Sequence, residues 1–369
     1  TPSLESFFAT EQGWSNQLVL TRRATDVCLP QVSIVDLREV FKDKGRSLFS
    51  PELRQGIEEA LASKEQVMLF VNRRAFASAL LCRDCGYIPQ CVLCSVSLSL
   101  HRKERVLRCH HCRYQKRAPD VCPKCGSHYL RPLGVGTQKV EEFVQREFPR
   151  ARVARLDRDT SSKRGVLESV FERLHSGEID ILVGTQMIAK GLDFPNVSLV
   201  GVVTADTSLS IPDFRATERT FQLLTQMAGR AGRHRPGKVI IQTFQPEHPA
   251  VRHAVTQDYE AFYREEVLLR KEAQYPPVVR LVNIIATSAS PRKGDALMED
   301  VARALRTCKE AVVLGPAECP LEKLHGQYRR HVLVKLPLEV PPKLVKPPDE
   351  FFSDSRGQLV VDVDPVSLL

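Results

Sequence analysis

The chain has 369 residues, 43% of them apolar, which is enough to bury two or three cores and too much for a disordered polymer. Lysine and arginine total 53 against 44 acidic residues, a net charge of +9 that favours an anionic partner, although charge alone is equally well explained by solubility. No run approaches the roughly 18 consecutive apolar residues of a membrane helix, so a soluble protein with no membrane partner is expected. The first residue is Thr1, so the sequence reads as a piece of a longer or processed chain and leaves a signal peptide open.

Residues 1–50 are mixed in texture. From Leu29, LPQVSIVDLR reads as an extended linker reaching a strand, and Pro51 to Ala62 has helical spacing after a Ser50-Pro51 start. Val67 to Val71, VMLFV, is an apolar run typical of a central parallel strand. Asn72, Arg73 and Arg74 then stand at its carboxyl edge, where such sheets bind ligands; a solvated loop explains them equally well.

The most specific chemical signal comes next. Cys82-x-x-Cys85, Cys91-x-x-Cys94, Cys109-x-x-Cys112 and Cys122-x-x-Cys125 supply enough thiols for two closed tetrahedral zinc sites. Disulfides or redox pairs do not need four regularly spaced knuckles, and cysteines used this way point to a reducing cytosol. Loop lengths arbitrate the pairing. The stretch from Cys94 to Cys109 is close to the roughly 15 to 20 residues usual between paired knuckles, whereas Cys85 and Cys91 are too near each other. The inner pairs therefore share one metal and the outer pairs meet around them. His101, His110 and His111 are not needed as ligands, and closed sites make the metal structural and not hydrolytic. Arg102, Lys103, Arg105, Arg108, Arg113, Lys116 and Arg117 crowd this insert, which suits contact with DNA or a partner, or simply keeps a small module soluble.

From Leu133 a second pattern runs on. A glycine turn precedes Val140, Phe143, Val144 and Phe148 at helical spacing. Strands are predicted over residues 152–156, 180–183, 198–203 and 238–244, and helices over 163–174 and 215–227. This alternation predicts a parallel sheet. Asp157 and Asp159 read as turn residues. The strand ending in Gly184-Thr185 delivers a small hydroxyl residue at its carboxyl edge, suited to a phosphate, and Lys190, Gly191 and Asp193 add a cation, a close-approach glycine and an acceptor able to track a sugar-phosphate backbone. Gln226, Arg230 and Arg233 fall at i, i+4 and i+7 and so are expected on one helix face. Two converging guanidiniums there stabilise charge on a transferred phosphoryl group as arginine fingers do, with the glutamine placing water or phosphate.

VGTQMIAKGLDFP, ADTSLSIPDFRATERTFQLLTQMAGRAGR and LDRDTSSKRG resemble motifs V and VI of superfamily 2 helicases, and within them the primosomal replication-restart helicases, the PriA family. The resemblance runs nearly the whole chain. Leu192 stands where the family usually has histidine, and NRRAFA from Asn72 replaces the commoner wording. It implies a RecA-like parallel-sheet α/β helicase lobe (residues 51–81 and 126–246) with an inserted two-zinc, eight-cysteine module (82–125). Before the lobe lies a remnant of a first motor lobe and linker (1–50), because TPSLESF resembles the segment just after motif III. The nested zinc pairing is implied too, with Cys82, Cys85, Cys122 and Cys125 on one metal and Cys91, Cys94, Cys109 and Cys112 on the other. Beyond Pro246, a helix bearing Tyr259, Phe262 and Tyr263 leads through Tyr275-Pro276-Pro277 to strands near 279–287, 328–336 and 358–363 and a helix near 293–307. This predicts a small α+β C-terminal domain (247–369) with a proline-rich surface loop from Pro337 to Pro348.

The function implied by the resemblance is that of an ATP-dependent 3′ to 5′ DNA helicase that reloads the replicative helicase at stalled or repaired forks. ATP and Mg2+ belong to the full-length protein, with Arg230, Arg233 and Gln226 at the phosphates, Gly191 and Asp193 at the nucleotide side, and Gly184, Thr185 and Lys190 at the DNA backbone. Forked or single-stranded DNA, single-strand binding protein and primosome loader proteins are the implied partners, in a bacterial, nucleoid-associated cytoplasmic setting. No G-x-x-x-x-G-K-[ST] occurs, so this stretch alone is expected not to hydrolyse ATP. The rival is a non-catalytic zinc scaffold that binds DNA forks and recruits the loader.

Overall fold

The computed structural model describes residues 1–20, 29–43, 47–72, 79–102, 104–134, 136–157, 160, 165–189, 194–231 and 237–368. Its first elements are α1 (Leu4–Glu11), β1 (Gln31–Asp36), α2 (Leu37–Asp43), α3 (Pro51–Ala62) and β2 (Gln66–Phe70). Short strands follow in the cysteine-rich stretch: β3 (Leu80–Cys82), β4 (Ser99–His101), β5 (Val106–Arg108), β6 (Gln115–Arg117) and β7 (Leu130–Pro132). Next come α4 (Thr137–Glu147), β8 (Val153–Leu156), α5 (Val166–His175), β9 (Ile181–Gly184), α6 (Gln186–Ala189), β10 (Val197–Val202), α7 (Asp206–Leu209), α8 (Ala216–Ala228) and β11 (Lys238–Thr243). The chain closes with α9 (Pro249–Thr256), α10 (Tyr259–Glu272), β12 (Arg280–Ser288), α11 (Pro291–Leu305), β13 (Val312–Leu324), β14 (Gln327–Leu336) and β15 (Gln358–Val363).

The central element is a six-stranded parallel sheet in the order β1-β11-β10-β2-β9-β8. Every residue of β2 and β9 is buried, as expected of strands covered on both faces. Alternation along them divides the core. Met68, Phe70 and Leu182 face α8, α9 and α10 through Phe221, Val251 and Phe262, while Val67, Leu69 and Val183 face α3 and α4 through Leu53, Ile57 and Val140. α3 starts as its sequence dictates: the Leu53 amide donates to Ser50 Oγ at 3.1 Å, with Pro51 in the first turn.

Three placements differ from the sequence reading. β1, expected at the end of a linker, is hydrogen-bonded along its whole length to β11 and forms the edge of the sheet. A strand that pairs in parallel needs only an extended backbone and a buried face, and Val35 supplies the latter. α9 and α10, expected with the C-terminal domain, lie on the lobe, because Ala250, Val251, Phe262 and Tyr263 are buried in its core and the Phe221 and Phe262 rings stack at 4.2 Å. β13 was not foreseen. Gly315, Pro316 and Pro320 interrupt its alternation, and its register against β14 shifts twice.

The C-terminal unit is an antiparallel sheet in the order β13-β14-β12-β15, with Leu297, Met298, Val301 and Leu305 of α11 packed on Val282, Ile284, Val332 and Val334. The predicted strands and helix here are found within two residues of their expected ends. In the proline-rich loop, Val345 is fully buried and anchors the segment to this core. Lobe, cysteine module and C-terminal sheet share a further cluster that brings Leu98 and Leu107 together with Phe214, Tyr275, Leu281 and Leu333.

Candidate metal centre and phosphate edge

Each of the four Cys-x-x-Cys segments folds into the same knuckle. The amide of the residue after the second cysteine donates to the carbonyl of the first, at 2.9 Å for Gly86 to Cys82, 3.0 Å for Ser95 to Cys91, 3.1 Å for Arg113 to Cys109 and 2.8 Å for Gly126 to Cys122. The four donors share a positive φ of 53 to 72°, the conformation that aims both thiols to one side. The sulfurs then gather into two groups, Cys82, Cys85, Cys122, Cys125 and Cys91, Cys94, Cys109, Cys112, each with all Sγ atoms within 4.8 Å of one another. Cys82 and Cys125 are 3.7 Å apart, Cys85 and Cys122 3.7 Å, and Cys91 and Cys112 3.6 Å. A tetrahedron with zinc–sulfur bonds of about 2.3 Å has edges of about 3.8 Å, so both groups fit a zinc ion and are too wide for disulfides. The nested pairing read from loop lengths is the one found.

The histidines are used elsewhere. His111 is fully buried, its Nδ1 3.0 Å from the Tyr275 hydroxyl and its Nε2 3.2 Å from the Pro212 carbonyl, and burial holds its pKa down at about 4. His110 Nδ1 lies 3.0 Å from the Glu318 carbonyl. The Tyr275 hydroxyl donates to the Cys94 carbonyl at 3.1 Å, and the ring stacks on Phe214 at 4.7 Å. A zinc knuckle, the lobe segment around Pro212 and the C-terminal unit thus meet in one polar seam.

Gly184 and Thr185 end β9 at the carboxyl edge of the sheet, as expected. Glycine is required at 184 by packing, since a Cβ there would meet Ile188 Cγ2 at 2.5 Å and the Leu156 carbonyl at 2.9 Å. Lys190, Gly191, Leu192, Asp193 and Arg233 lie outside the described residues, as do Arg73, Arg74, Lys103 and Asp159. The single helix face proposed for Gln226 and Arg230 is not found. α8 stops at Ala228, with Gly229 at its end, and the Arg230 amide turns back to the Met227 carbonyl at 3.0 Å. Gln226 is exposed and Arg230 buried, and the Arg230 amide bonds three residues back instead of four, so the last turn tightens and the two side chains part.

Two acidic residues were missed. Asp206, fully buried, accepts from the Phe244 amide (3.0 Å), Thr204 Oγ1 (3.1 Å), Thr243 Oγ1 (3.1 Å) and Gln245 Nε2 (3.3 Å), tying together the ends of β10 and β11; burial raises its pKa. The available signal was a carboxylate placed directly after an apolar strand. Glu218 accepts from the Leu4 amide at 3.1 Å and from Arg270 Nη2 at 3.1 Å, pinning α1 and α10 to α8. Asp157 is a turn residue, as read: Oδ1 accepts from the Thr160 amide at 3.0 Å and Oδ2 from Thr137 Oγ1 at 2.6 Å. Asn72 Nδ2 donates to Ser208 Oγ at 2.5 Å, holding β2 to α7.

A six-stranded parallel-sheet lobe interrupted by a double four-cysteine insertion is the architecture expected of the carboxy-terminal lobe of a helicase carrying a zinc module. The comparisons agree. Residues 135–235 match the helicase conserved C-terminal domain, residues 91–117 the PriA DNA helicase Cys-rich region, and residues 271–366 the primosomal protein N C-terminal domain. The replication restart protein PriA of Bacillus subtilis is 45% identical over 91% of this chain and 42% of its own length. Those of Synechocystis and Treponema pallidum are 39% and 41% identical over 100% of this chain and 46% and 56% of theirs. The chain belongs to the PriA family of replication restart proteins and spans about half the length of the curated relatives it matches.

Proposed function

We infer that this chain is the second motor lobe, zinc module and C-terminal domain of an ATP-dependent 3′ to 5′ DNA helicase that restarts replication at stalled or repaired forks. The observation that carries the reading is the joint placement of Thr185 at the carboxyl edge of the parallel sheet and of Arg230 in the turn after α8, in a lobe interrupted by two four-sulfur groups. The zinc ions are structural: each group closes its tetrahedron with protein sulfur and leaves no position for a reacting water. Thr185, with Lys190, holds the DNA backbone. Arg230 and Arg233 bear on the phosphates of ATP and Mg2+ seated mainly on an upstream lobe, with Gln226, Gly191 and Asp193 beside them, so this chain alone does not turn ATP over. Single-strand binding protein and the helicase loader are its partners in a cytoplasmic, nucleoid-associated role.

The test is ATP hydrolysis stimulated by forked DNA in the longer protein, beside its Arg233→Ala variant. A loss of most of the stimulated rate, roughly 10³-fold for an arginine finger, is expected. A silent wild type that still binds forks in a zinc-dependent manner replaces the motor with a loader-recruiting scaffold.

A further inference from the structure

We propose that Arg215 and Arg219 are positioning residues for the arginine turn: through them the segment after β15, Asp364 to Leu368, sets where α8 lies along its own axis and so where Arg230 stands beyond its far end. This rests on the reading of Arg230 as facing a phosphoryl group and adds to it a strap from the C-terminal unit to that site.

On leaving the terminal sheet the chain crosses the first turns of α8. Arg215 Nη1 donates to the Pro365 carbonyl at 2.7 Å and Arg219 Nη2 to the Val366 carbonyl, while Leu368 is buried in the cluster that holds Phe214 and Tyr275. The same Arg215 guanidinium also reaches α1, its Nε and Nη2 donating to Glu5 Oε1 at 3.1 and 2.6 Å. Asp213 fixes the turn that carries both arginines: Oδ1 accepts from the Arg215 amide at 3.0 Å and Oδ2 from Arg219 Nη1 at 2.8 Å. Gln222 Nε2 adds a bond to the Pro2 carbonyl at 3.2 Å. The base of α8 is thus bonded at once to the segment that holds α1 and to the segment that follows β15.

Directed bonds matter here because the rest of α8 is held by apolar contact. Phe221, Leu224 and Met227 lie in the lobe's core, and such contact is non-directional: it keeps the helix against its neighbours without fixing its place along the axis. Thr225 Oγ1, toward the far end, is buried with no hydrogen-bond partner among the described residues. From Ala216 to Ala228 the helix runs about 20 Å, so a shift at its base is passed along it to the Arg230 turn. The root of the strap is fixed to β12, where the Asp364 amide donates to the Leu281 carbonyl at 2.8 Å and Arg280 Nε stands 3.2 Å from Asp364 Oδ2. Its middle is lightly held. Val366 is 81% exposed, and a cavity of about 510 Å³, lined by Asp364, Val366, Gln222, Phe8 and Trp14 among others, opens beside it. Two carbonyl bonds and the buried Pro365 and Leu368 carry the hold on α8.

Hydrogen–deuterium exchange is measured on the zinc-loaded chain, beside Arg215→Ala, Arg219→Ala, Leu368→Ala and the remote control Lys309→Ala, with zinc content and circular dichroism confirming that each variant is folded. Amides of residues 225–230, which begin about 15 Å from Arg215, are expected to exchange several-fold faster in the three strap variants and at the wild-type rate in Lys309→Ala. In the longer protein, Arg215→Ala is expected to lower the kcat of fork-stimulated ATP hydrolysis roughly tenfold with KM for ATP and fork affinity unchanged, and Arg215→Lys to regain part of the loss. Faster exchange confined to residues 215–219 and 364–368 overturns the strap, as does a raised KM with kcat retained, because the arginines then only brace their surroundings. The two readings fail separately. A longer protein that hydrolyses no ATP refutes the motor, whereas wild-type turnover matched by Arg215→Ala refutes the strap alone; the exchange result, which needs no ATP, judges the strap in either case.

Discussion

Replacing Arg270 by alanine removes the cation that pairs two buried carboxylates, Glu218 and Glu266. The side chain is 2% exposed; Nε donates to Glu266 Oε1 at 2.8 Å, Nη2 to Glu218 Oε2 at 3.1 Å and Nη1 to the Pro276 carbonyl at 2.9 Å. Burial pushes Glu266 up to about 7 even with the guanidinium pulling it down, and raises Glu218 as well. Breaking such a pair strands two carboxylates in a low-dielectric site, at a cost of roughly 3–5 kcal/mol. The pH dependence is set by the raised pKa. The contribution of Glu266 is most favourable below its ordinary value of 4.5 and is lost as pH rises through about 7. Without Arg270 both carboxyls move higher still, so the variant is weakened more at pH 8 than at pH 6. Urea unfolding followed by circular dichroism in zinc-containing buffer measures both. Adding Glu218→Gln and Glu266→Gln to Arg270→Ala is expected to recover most of the loss. A loss below about 1 kcal/mol, or one equal at the two pH values, refutes the reasoning.

Further outcomes are expected elsewhere. Gly184→Ala forces a methyl against Ile188 and the Leu156 carbonyl and lowers stability by about 1–3 kcal/mol in the same unfolding assay. Cys91→Ser removes zinc from the inner group and leaves the outer one loaded, so metal analysis falls from two ions per chain to one. His248 caps α9 by accepting from the Ala250 amide at 3.3 Å, and burial lowers its pKa to about 4. Its contribution is present above about 6.5 and lost as pH falls through about 4, and the ring is expected to show no titration between pH 6 and 8 by nuclear magnetic resonance.

The zinc centre was legible in full because ligand spacing is local: a knuckle is decided by four consecutive residues, and loop length decides which knuckles meet. The sheet was legible wherever strands were apolar throughout, as in β2 and β9. Tertiary partners were not. Nothing in QVSIVD tells that β1 pairs with β11, some 200 residues later, and the aromatic residues of α10 are equally compatible with either neighbouring domain until Phe221 is seen beneath them. The arginine turn failed for a different reason. Spacing at i and i+4 assumes that a helix continues, whereas α8 ends at Ala228 and the turn after it is tighter.

The seam through His111 and Tyr275 carries a mechanical consequence. These close polar contacts join a zinc knuckle, the chain at Pro212 and the segment entering the C-terminal sheet, all out of water. Sliding any one part against the others by an ångström or so would leave buried donors and acceptors unmatched. The lobe, the cysteine module and the start of the terminal sheet are therefore fastened to one another at this seam, and a displacement of any one of them is passed to the other two.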